Sequence, residues 1–469
     1  MSFESVETSN YDFSRVSKFG VRGRLLSNAG LLGGARLIAA IMGVATLVIT
    51  AKALSDNIAF GTLLFIHAYM LFFSEIGSFQ TWQALIRFGS DEVETENAPR
   101  LAQLLKTGII LDAFAAVLAF FASISLFGFF LYLKSKIGIE SNPTHVTALA
   151  GTDLKQLITI YCSVILFRQT NVAIGVFRLF DKFSILAARA LVMPSVRLIG
   201  VIIAAYQGWG LTGFLTVWFL ASLLSYLVLQ IFAVIEIHKR RFWPLIRQEK
   251  TCRKNDFPGL YGFILKTNID TSLNSLKSNF PSLAVMLVFG PALLAVYRIA
   301  EEISRLLRRG VKLFDQVLFP ELSRMAVNID FKALIKTTTR TAIAMGIAGF
   351  VISVIVLLFG ENILKTAFDD SFSDAPKLSV LLLIATTLIG AATPFYTAFY
   401  VLMRPGAAIW VRLAGTVSFI GIFFILSQSM GLFSIGWAAI IGAIIETVLV
   451  VFFIKVIINK QTVSPVVQN

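Results

Sequence analysis

The sequence predicts an all-α polytopic membrane protein, with about 12 transmembrane helices in two pseudo-symmetric six-helix bundles. Three observations predict it. Of 469 residues, 57% are hydrophobic and only 14% charged, with a mean hydropathy of +0.79; a soluble domain normally carries about 25% charged residues. Apolar runs long enough to span a bilayer fall near 25–53, 57–86, 106–133, 154–177, 184–206, 211–236, 259–289, 291–318, 337–359, 376–403, 407–428 and 432–458. Finally, Val196-Arg197-Leu198-Ile199-Gly200 recurs as Val411-Arg412-Leu413-Ala414-Gly415, each opening the fifth span of a six-span unit. Each copy leads through an apolar run to a Gly-containing turn, Gly208-Trp209-Gly210 or Met430-Gly431-Leu432, and a last apolar run.

Taken in order, residues 1–24 form a polar segment expected in the cytoplasm. Arg15, Lys18, Arg22 and Arg24 precede the first span, which is expected to serve as the insertion signal. Arg36 lies inside that span; it either snorkels to the interface or faces inward, and its depth favours the inward role. The first lobe runs over 25–236, with the short turn Leu54-Ser55-Asp56-Asn57 between its first two spans. A basic linker at 237–257, expected to be solvated and to meet anionic lipid heads, leads to the second lobe at 258–458 and a tail at 459–469. Counted over alternate connections, 25 basic residues fall on one side and six on the other, so both termini are expected in the cytoplasm. The two most polar spans, the seventh and eighth, leave that parity unchanged whether present or not; the turn Phe289-Gly290-Pro291-Ala292, matching 54–57, argues for both.

Span seven carries Lys266, Asp270, Asn274 and Lys277, of which 266, 270 and 277 share one helical face. They form either a self-neutralising Lys266–Asp270 pair or part of a binding surface. Asn268, Asn274 and Asn279 could equally bond sugar hydroxyls or a neighbouring helix, and Pro281 is expected to kink or break the span.

Span eight is the most charged. Between Pro291 and Asp315, Arg298, Glu302, Arg305, Arg309 and Lys312 follow spacings of four, three, four and three, with Glu301, Arg308 and Asp315 beside them. Twenty-five residues at about 1.5 Å each reach roughly 37 Å, enough to cross. A charge facing lipid at the midplane costs roughly 2.5–3.5 kcal/mol, so these eight groups should face protein or water. Five are basic and three acidic, and the surplus favours an anion. The alternative is an amphipathic helix lying on the membrane surface. Pairs Arg298–Glu302 and Glu301–Arg305 are expected, leaving Arg308, Arg309 and Lys312 short of acids.

The motifs resemble a known family. Ala51-Lys52-Ala53-Leu54-Ser55, Phe60-Gly61, Ile76-Gly77-Ser78 and Ala84-Leu85-Ile86-Arg87-Phe88-Gly89 are similar to the opening of polysaccharide-transport flippases, a branch of the multidrug/oligosaccharidyl-lipid/polysaccharide exporter superfamily. Gly175-Val176-Phe177-Arg178-Leu179-Phe180-Asp181-Lys182-Phe183 and Phe319-Pro320-Glu321-Leu322-Ser323-Arg324 fit the same pattern, over roughly residues 25 to 455; Ala39 and Ala295 replace glycines common there. The resemblance implies two six-helix bundles around a central cavity in a bacterial inner membrane. It implies a polyprenyl-diphosphate-linked oligosaccharide as cargo, work beside a polysaccharide polymerase or glycosyltransferases, and a first-span arginine at the position of Arg36. A diphosphate crossing a low-dielectric region needs fixed positive charge and water along its route. Arg298 and Arg305 are therefore expected to engage it deep in the cavity, Arg309 and Lys312 at its mouth, and Arg36, Lys266, Asp270, Asn274 and Lys277 to line the route. Arginine's planar fork suits phosphate oxygens.

Glu75, Asp112 and Glu446 are expected to be paired or hydrated, and the six tryptophans to be mostly interface anchors. Cys162 and Cys252 make no disulfide framework, and His67, His145 and His238 lack metal-ligand spacing. The basic residues are scattered among short loops, unlike a nucleic-acid surface. Gly360-Glu361-Asn362-Ile363-Leu364-Lys365-Thr366 lacks the second glycine of a phosphate-binding loop, so no nucleotide cofactor is implied and an ion or substrate gradient is the expected driver. Two other functions compete. A multidrug/cation antiporter would want unpaired interior acids, and a membrane glycosyl- or acyltransferase would want an ordered outward loop with a general base.

Overall fold

The computed structural model describes residues 11–13, 21–137, 154–253, 255–327, 331–368, 372–401 and 405–463. Among them every regular element is a helix. The first eight α-helices are α1 (Val21–Leu54), α2 (Asn57–Ile76), α3 (Thr81–Glu94), α4 (Ala98–Ile137), α5 (Leu154–Cys162), α6 (Asn171–Leu179), α7 (Phe183–Tyr206) and α8 (Leu211–Lys239). They are followed by α9 (Phe242–Gln248), α10 (Leu260–Val327), α11 (Phe331–Ala367), α12 (Ala375–Val401), α13 (Pro405–Met430) and α14 (Phe433–Val463), with a 3₁₀ turn over Ser163–Phe167.

Eleven helical stretches among the described residues are long and apolar enough to cross a membrane, and one, Leu260–Val311, has 52 residues. At 1.5 Å per residue it would be about 78 Å long, more than two hydrocarbon thicknesses. Gly290 divides it: its φ of 83° and ψ of −175° lie where only glycine sits without strain. The stretch is therefore two spans, which makes twelve. The reversal lies in the turn Phe289-Gly290-Pro291-Ala292 that the sequence predicts, and at Pro281, where a kink or break is expected, the helix is not broken. Proline's fixed φ is itself helical, and a membrane helix can carry the one lost hydrogen bond. A Cβ on Gly61 of α2 would clash with the Pro291 carbonyl oxygen, so the glycine there is what lets α2 reach this turn.

Shorter connections follow local chemistry. Asp56 caps α2, its carboxylate accepting from the Ile58 and Ala59 amides at 2.9 and 3.3 Å. Gly208 and Gly431 end α7 and α13 with φ of 64° and 55°, as the two Gly-containing turns predict. Two interruptions lie outside what the apolar runs predict. The second span leaves the helix between Ile76 and Thr81, and the fourth passes through the 3₁₀ turn before α6 begins at Asn171.

The described residues fall into two compact units, one from residues 1–54, 65–135 and 142–280, the other from 55–64, 136–141 and 281–469. In the first, α1 packs along α7, α7 along α8, and α3 on α6. Its core joins Leu85, Leu101, Leu105, Val176 and Phe180 to Phe242, Leu245, Ile246 and Phe257 from the linker. The linker's apolar side chains are thus packed, while Lys239, Arg241, Arg247, Lys250 and Arg253 stay exposed. Arg240, 2% exposed, holds Glu236 at 2.6 Å, donates to the Asp12 carbonyl at 2.8 Å and stacks on Phe180 at 3.7 Å. Four linker side chains are apolar enough to leave water, and the buried guanidinium is satisfied by an acid, a carbonyl and a ring.

In the second unit α11 packs on α12, and α12 and α13 both pack on α14. In each unit the recurring motif sets its arginine over an aromatic ring, on the following helix in the first unit and on the preceding one in the second. Arg197 lies 4.1 Å over Trp218 and Arg412 lies 5.0 Å over Tyr396. The motif glycines, Gly200 and Gly415, close against Val217 of α8 and Glu446 of α14. Trp218 is accordingly a core residue, 4% exposed, and no interface anchor, whereas Trp209, Trp410 and Trp437 are exposed.

Candidate functional site

Two polar regions occur inside these apolar units. The first is a ladder on the part of α10 after Gly290. Glu301, 5% exposed at its side chain, is its hub: Arg298 lies at 3.0 Å, Arg305 at 3.0 Å and Arg308 at 3.3 Å. Glu302 takes Arg305 at 3.7 Å and Arg309 at 3.3 Å. The helix explains the pattern: partners three, four and seven residues apart lie on one stripe, and Glu301 sits between two rows of arginines. The expected Arg305–Glu301 pair forms. Arg298, however, pairs with Glu301 and not with Glu302, and Arg308 and Arg309, expected to be short of acids, each reach one. Thr386 of α12 also accepts from Arg308 at 3.3 Å.

Four guanidinia against two carboxylates leave a surplus of two positive charges. Side-chain exposure rises along the stripe from 10% at Arg298 through 24% at Arg305 to 46% at Arg309. Over the eleven steps from Arg298 to Arg309 the helix rises about 16 Å, so the charges are graded from buried to open. An oxyanion arriving at the open end would find forked N–H donors whose present acids are shared rather than dedicated. Ser304, 0% exposed, has an Oγ with no hydrogen-bond partner and stands on the same helix between Glu301 and Arg308.

Of the other expected site residues, Arg36 is exposed on α1 and Lys266 is exposed on α10 before Gly290, while Lys277 on that same part is half-buried. The side chains of Asp270, Asn274 and Lys312 lie outside the described residues, as does His145. The structure therefore gathers Arg298, Arg305 and Arg309 in one stripe and leaves the Lys266–Asp270 alternative untouched.

The second region, in the first unit, is built where α2 and the fourth span are interrupted. Glu75, near the end of α2, accepts from Ser275 at 2.7 Å and Asn279 at 2.8 Å on α10, with Arg168 at 3.7 Å. Asn268 donates to the Ser78 carbonyl at 2.7 Å. Asn279 thus bonds a neighbouring helix, one of the two alternatives open to it, and Asn268 the broken backbone that follows that helix. Asp112 of α4, 4% exposed, accepts from Thr81 at 2.7 Å, from the Val172 amide at 3.1 Å and from Asn171 at 3.4 Å. One carboxylate so accepts the Val172 amide at the start of α6 and the Thr81 hydroxyl at the start of α3, tying together the helix starts after both interruptions. Ser74, Asp112, Arg168 and Asn171 line a small cavity with about 10 Å³ open to the centre of a water molecule, room for about one water. The spacing of Arg168, Ser275 and Asp112 does not mark them as a cluster. Their only sequence signal is that each is polar within an apolar run.

The family model described as polysaccharide biosynthesis protein matches residues 25–326. Inner membrane protein YghQ of Escherichia coli (strain K12) is 22% identical over 354 residues, which is 76% of this chain and 95% of that protein. Among solved structures, an inward-facing multidrug resistance MATE family transporter of the MOP superfamily superposes with a TM-score of 0.71 at 13% identity, covering 92% of this chain and 100% of that one. Lipid II flippase MurJ, in an inward closed conformation, gives 0.61 at 14% identity over 88% of this chain and 87% of its own. At these identities the structural likeness speaks for the fold alone.

Proposed function

The chain belongs to the polysaccharide biosynthesis protein family, and so to a superfamily of membrane transporters that holds both lipid-linked-oligosaccharide flippases and multidrug antiporters; on that premise we propose that it flips a polyprenyl-diphosphate-linked oligosaccharide. The cargo crosses an inner membrane by alternating access, both termini facing the cytoplasm, and serves cell-surface polysaccharide assembly. One observation carries this reading: the ladder on α10 keeps four arginines against two acids, partly open, along a helix long enough to span a membrane. Keeping uncompensated charge in such a place costs several kcal/mol. An anionic cargo supplies the missing counter-charge during transit. Arg309 meets the diphosphate first, Arg305 and Arg298 receive it deeper, and Arg36, Lys266 and Lys277 add charge along the route, with Asp270, Asn274 and Lys312 completing the lining. The two lobes of this cycle are 25–236 and 258–458, joined by 237–257.

The antiporter reading draws on Glu75 and Asp112, interior acids of the first unit. Both are already held by two or more donors, which argues for structure over cation capture. Proteoliposomes loaded with labelled polyprenyl-diphosphate oligosaccharide or with an organic cation separate the two readings. Transport of the lipid-linked sugar alone is expected; transport of the cation alone overturns the proposal.

A further inference from the structure

Three residues of the polar N-terminal segment make a contact that neither region above involves. Tyr11 stacks on Phe242 at the start of α9, with ring centroids 5.8 Å apart, and Phe13 meets the same ring edge-on at 5.3 Å. Phe13 is buried in the core cluster of Phe180 and Ile246, and Tyr11 packs half-buried against it. Between the two rings, Asp12 grips Arg240 through its main chain. Its amide donates to the Arg240 carbonyl at 3.4 Å, and its carbonyl accepts from the Arg240 guanidinium at 2.8 Å. The Asp12 carboxylate is exposed and stands 3.8 Å from the same guanidinium. Arg240 in turn holds Glu236, which also takes Lys182 at 2.8 Å. One short peptide therefore closes over the place where the linker leaves α8 and meets the end of α6.

The contact has the anatomy of a bound peptide. Tyr11, Asp12 and Phe13 belong to no helix. Both hydrogen bonds to Arg240 use main-chain atoms of Asp12, which leaves selectivity to the aromatic rings at alternate positions, as when an extended peptide is read by pockets for alternate side chains. Two rings and two hydrogen bonds are few enough to part without unfolding the unit, because a local opening costs only the contacts it breaks. Parting is still unfavourable: the buried Arg240 guanidinium loses an acceptor and the Phe242 ring meets water. We propose that Tyr11-Asp12-Phe13 is a detachable strap, a peptide ligand tethered to its own groove at Arg240 and Phe242. Seated, it keeps the start of the linker packed on the first unit; released, it lets that start loosen. On the flippase reading the linker joins the two lobes, so the strap sets how freely the joint moves. The test reads the linker itself, so it stands or falls whatever the cargo.

Hydrogen–deuterium exchange of the full chain in detergent is followed by mass spectrometry over residues 238–248, with α7 as internal reference. Tyr11→Ser combined with Phe13→Ser is expected to quicken exchange over 238–248 about tenfold, a change of about 1.4 kcal/mol, and to leave α7 at the wild-type rate. Asp12→Ala keeps both main-chain bonds and should exchange as the wild type does. A synthetic peptide of residues 6–18 is then added to the doubly substituted chain at several millimolar, about the effective concentration a short tether provides. It should restore the slow exchange, and the same peptide with serine for both aromatics should not. Wild-type exchange over 238–248 in the doubly substituted chain overturns the strap, since the linker then packs without it. A quickening that spreads to α7, or no restoration by the aromatic peptide, overturns it equally, by making the three residues a fixed part of the core.

Discussion

The ladder of α10 and the Glu75–Asp112 region solve one problem, charge inside an apolar unit, in opposite ways. In the ladder every acid is on the same helix as its arginines, three, four or seven residues away. In the first unit the bonds run between elements far apart in sequence: Glu75 to Ser275 and Asn279, Asp112 to Thr81, Asn171 and Val172. Intrahelical pairing leaves a helix free of its neighbours and can carry an excess of one sign. Cross-helix bonding ties elements together and tolerates little excess, because each donor answers a specific acceptor. The difference teaches that charge count alone does not reveal a transport surface; what matters is whether the counter-charges are shared and the excess is open.

The comparison can be broken by substitution, beginning with the largest effect. Glu301→Ala removes the carboxylate shared by three arginines and should destabilise the protein by about 3–5 kcal/mol, read as a fall in thermal midpoint in detergent. Glu75→Gln keeps an acceptor for Ser275 and Asn279 and should cost only about 1–2 kcal/mol. Equal losses in the two variants would mean that the regions do not differ in kind. Arg309→Gln, at the open end, should cost below about 1 kcal/mol in stability and raise the half-saturating cargo concentration only a few-fold in a transport assay. A large loss of stability there would place the open end of the stripe in the packed core.

Much of the fold is legible in the sequence, and the rest is hidden for definite reasons. Twelve spans can be read because apolar runs of bilayer length have few other uses, and Gly290-Pro291 marks the reversal that a hydropathy window misses. The ladder follows from spacing, since helix geometry is fixed. Which acid each arginine takes does not, because Glu301 and Glu302 are both in reach and side-chain rotamers decide. The breaks after Ile76 and Cys162 lack a proline, and of the two the first alone has a turn dipeptide, Gly77-Ser78. Asp112, 31 residues after Thr81 and 60 before Val172, joins their far sides by accepting the Thr81 hydroxyl and the Val172 amide. No local pattern announces such a contact. Lys239, Arg241, Arg247, Lys250 and Arg253 of the linker are exposed, as their charge suggests, but Phe242, Leu245, Ile246 and Phe257 between them fill a core. Cys252, just beyond α9, is buried there, and burial pushes its thiol up. Maleimide labelling of Cys252 should therefore be slow at neutral pH and quicken as pH rises and thiolate forms; rapid labelling at neutral pH would mean that the linker opens to water.

The central claim is that a net-cationic stripe on α10 receives an anionic cargo. Arg305→Glu tests it most directly, because it converts four arginines and two acids into three of each while leaving the span amphipathic. Reconstituted in proteoliposomes at wild-type levels, this variant should fail to flip a labelled polyprenyl-diphosphate oligosaccharide. Flipping at the wild-type rate would contradict the account.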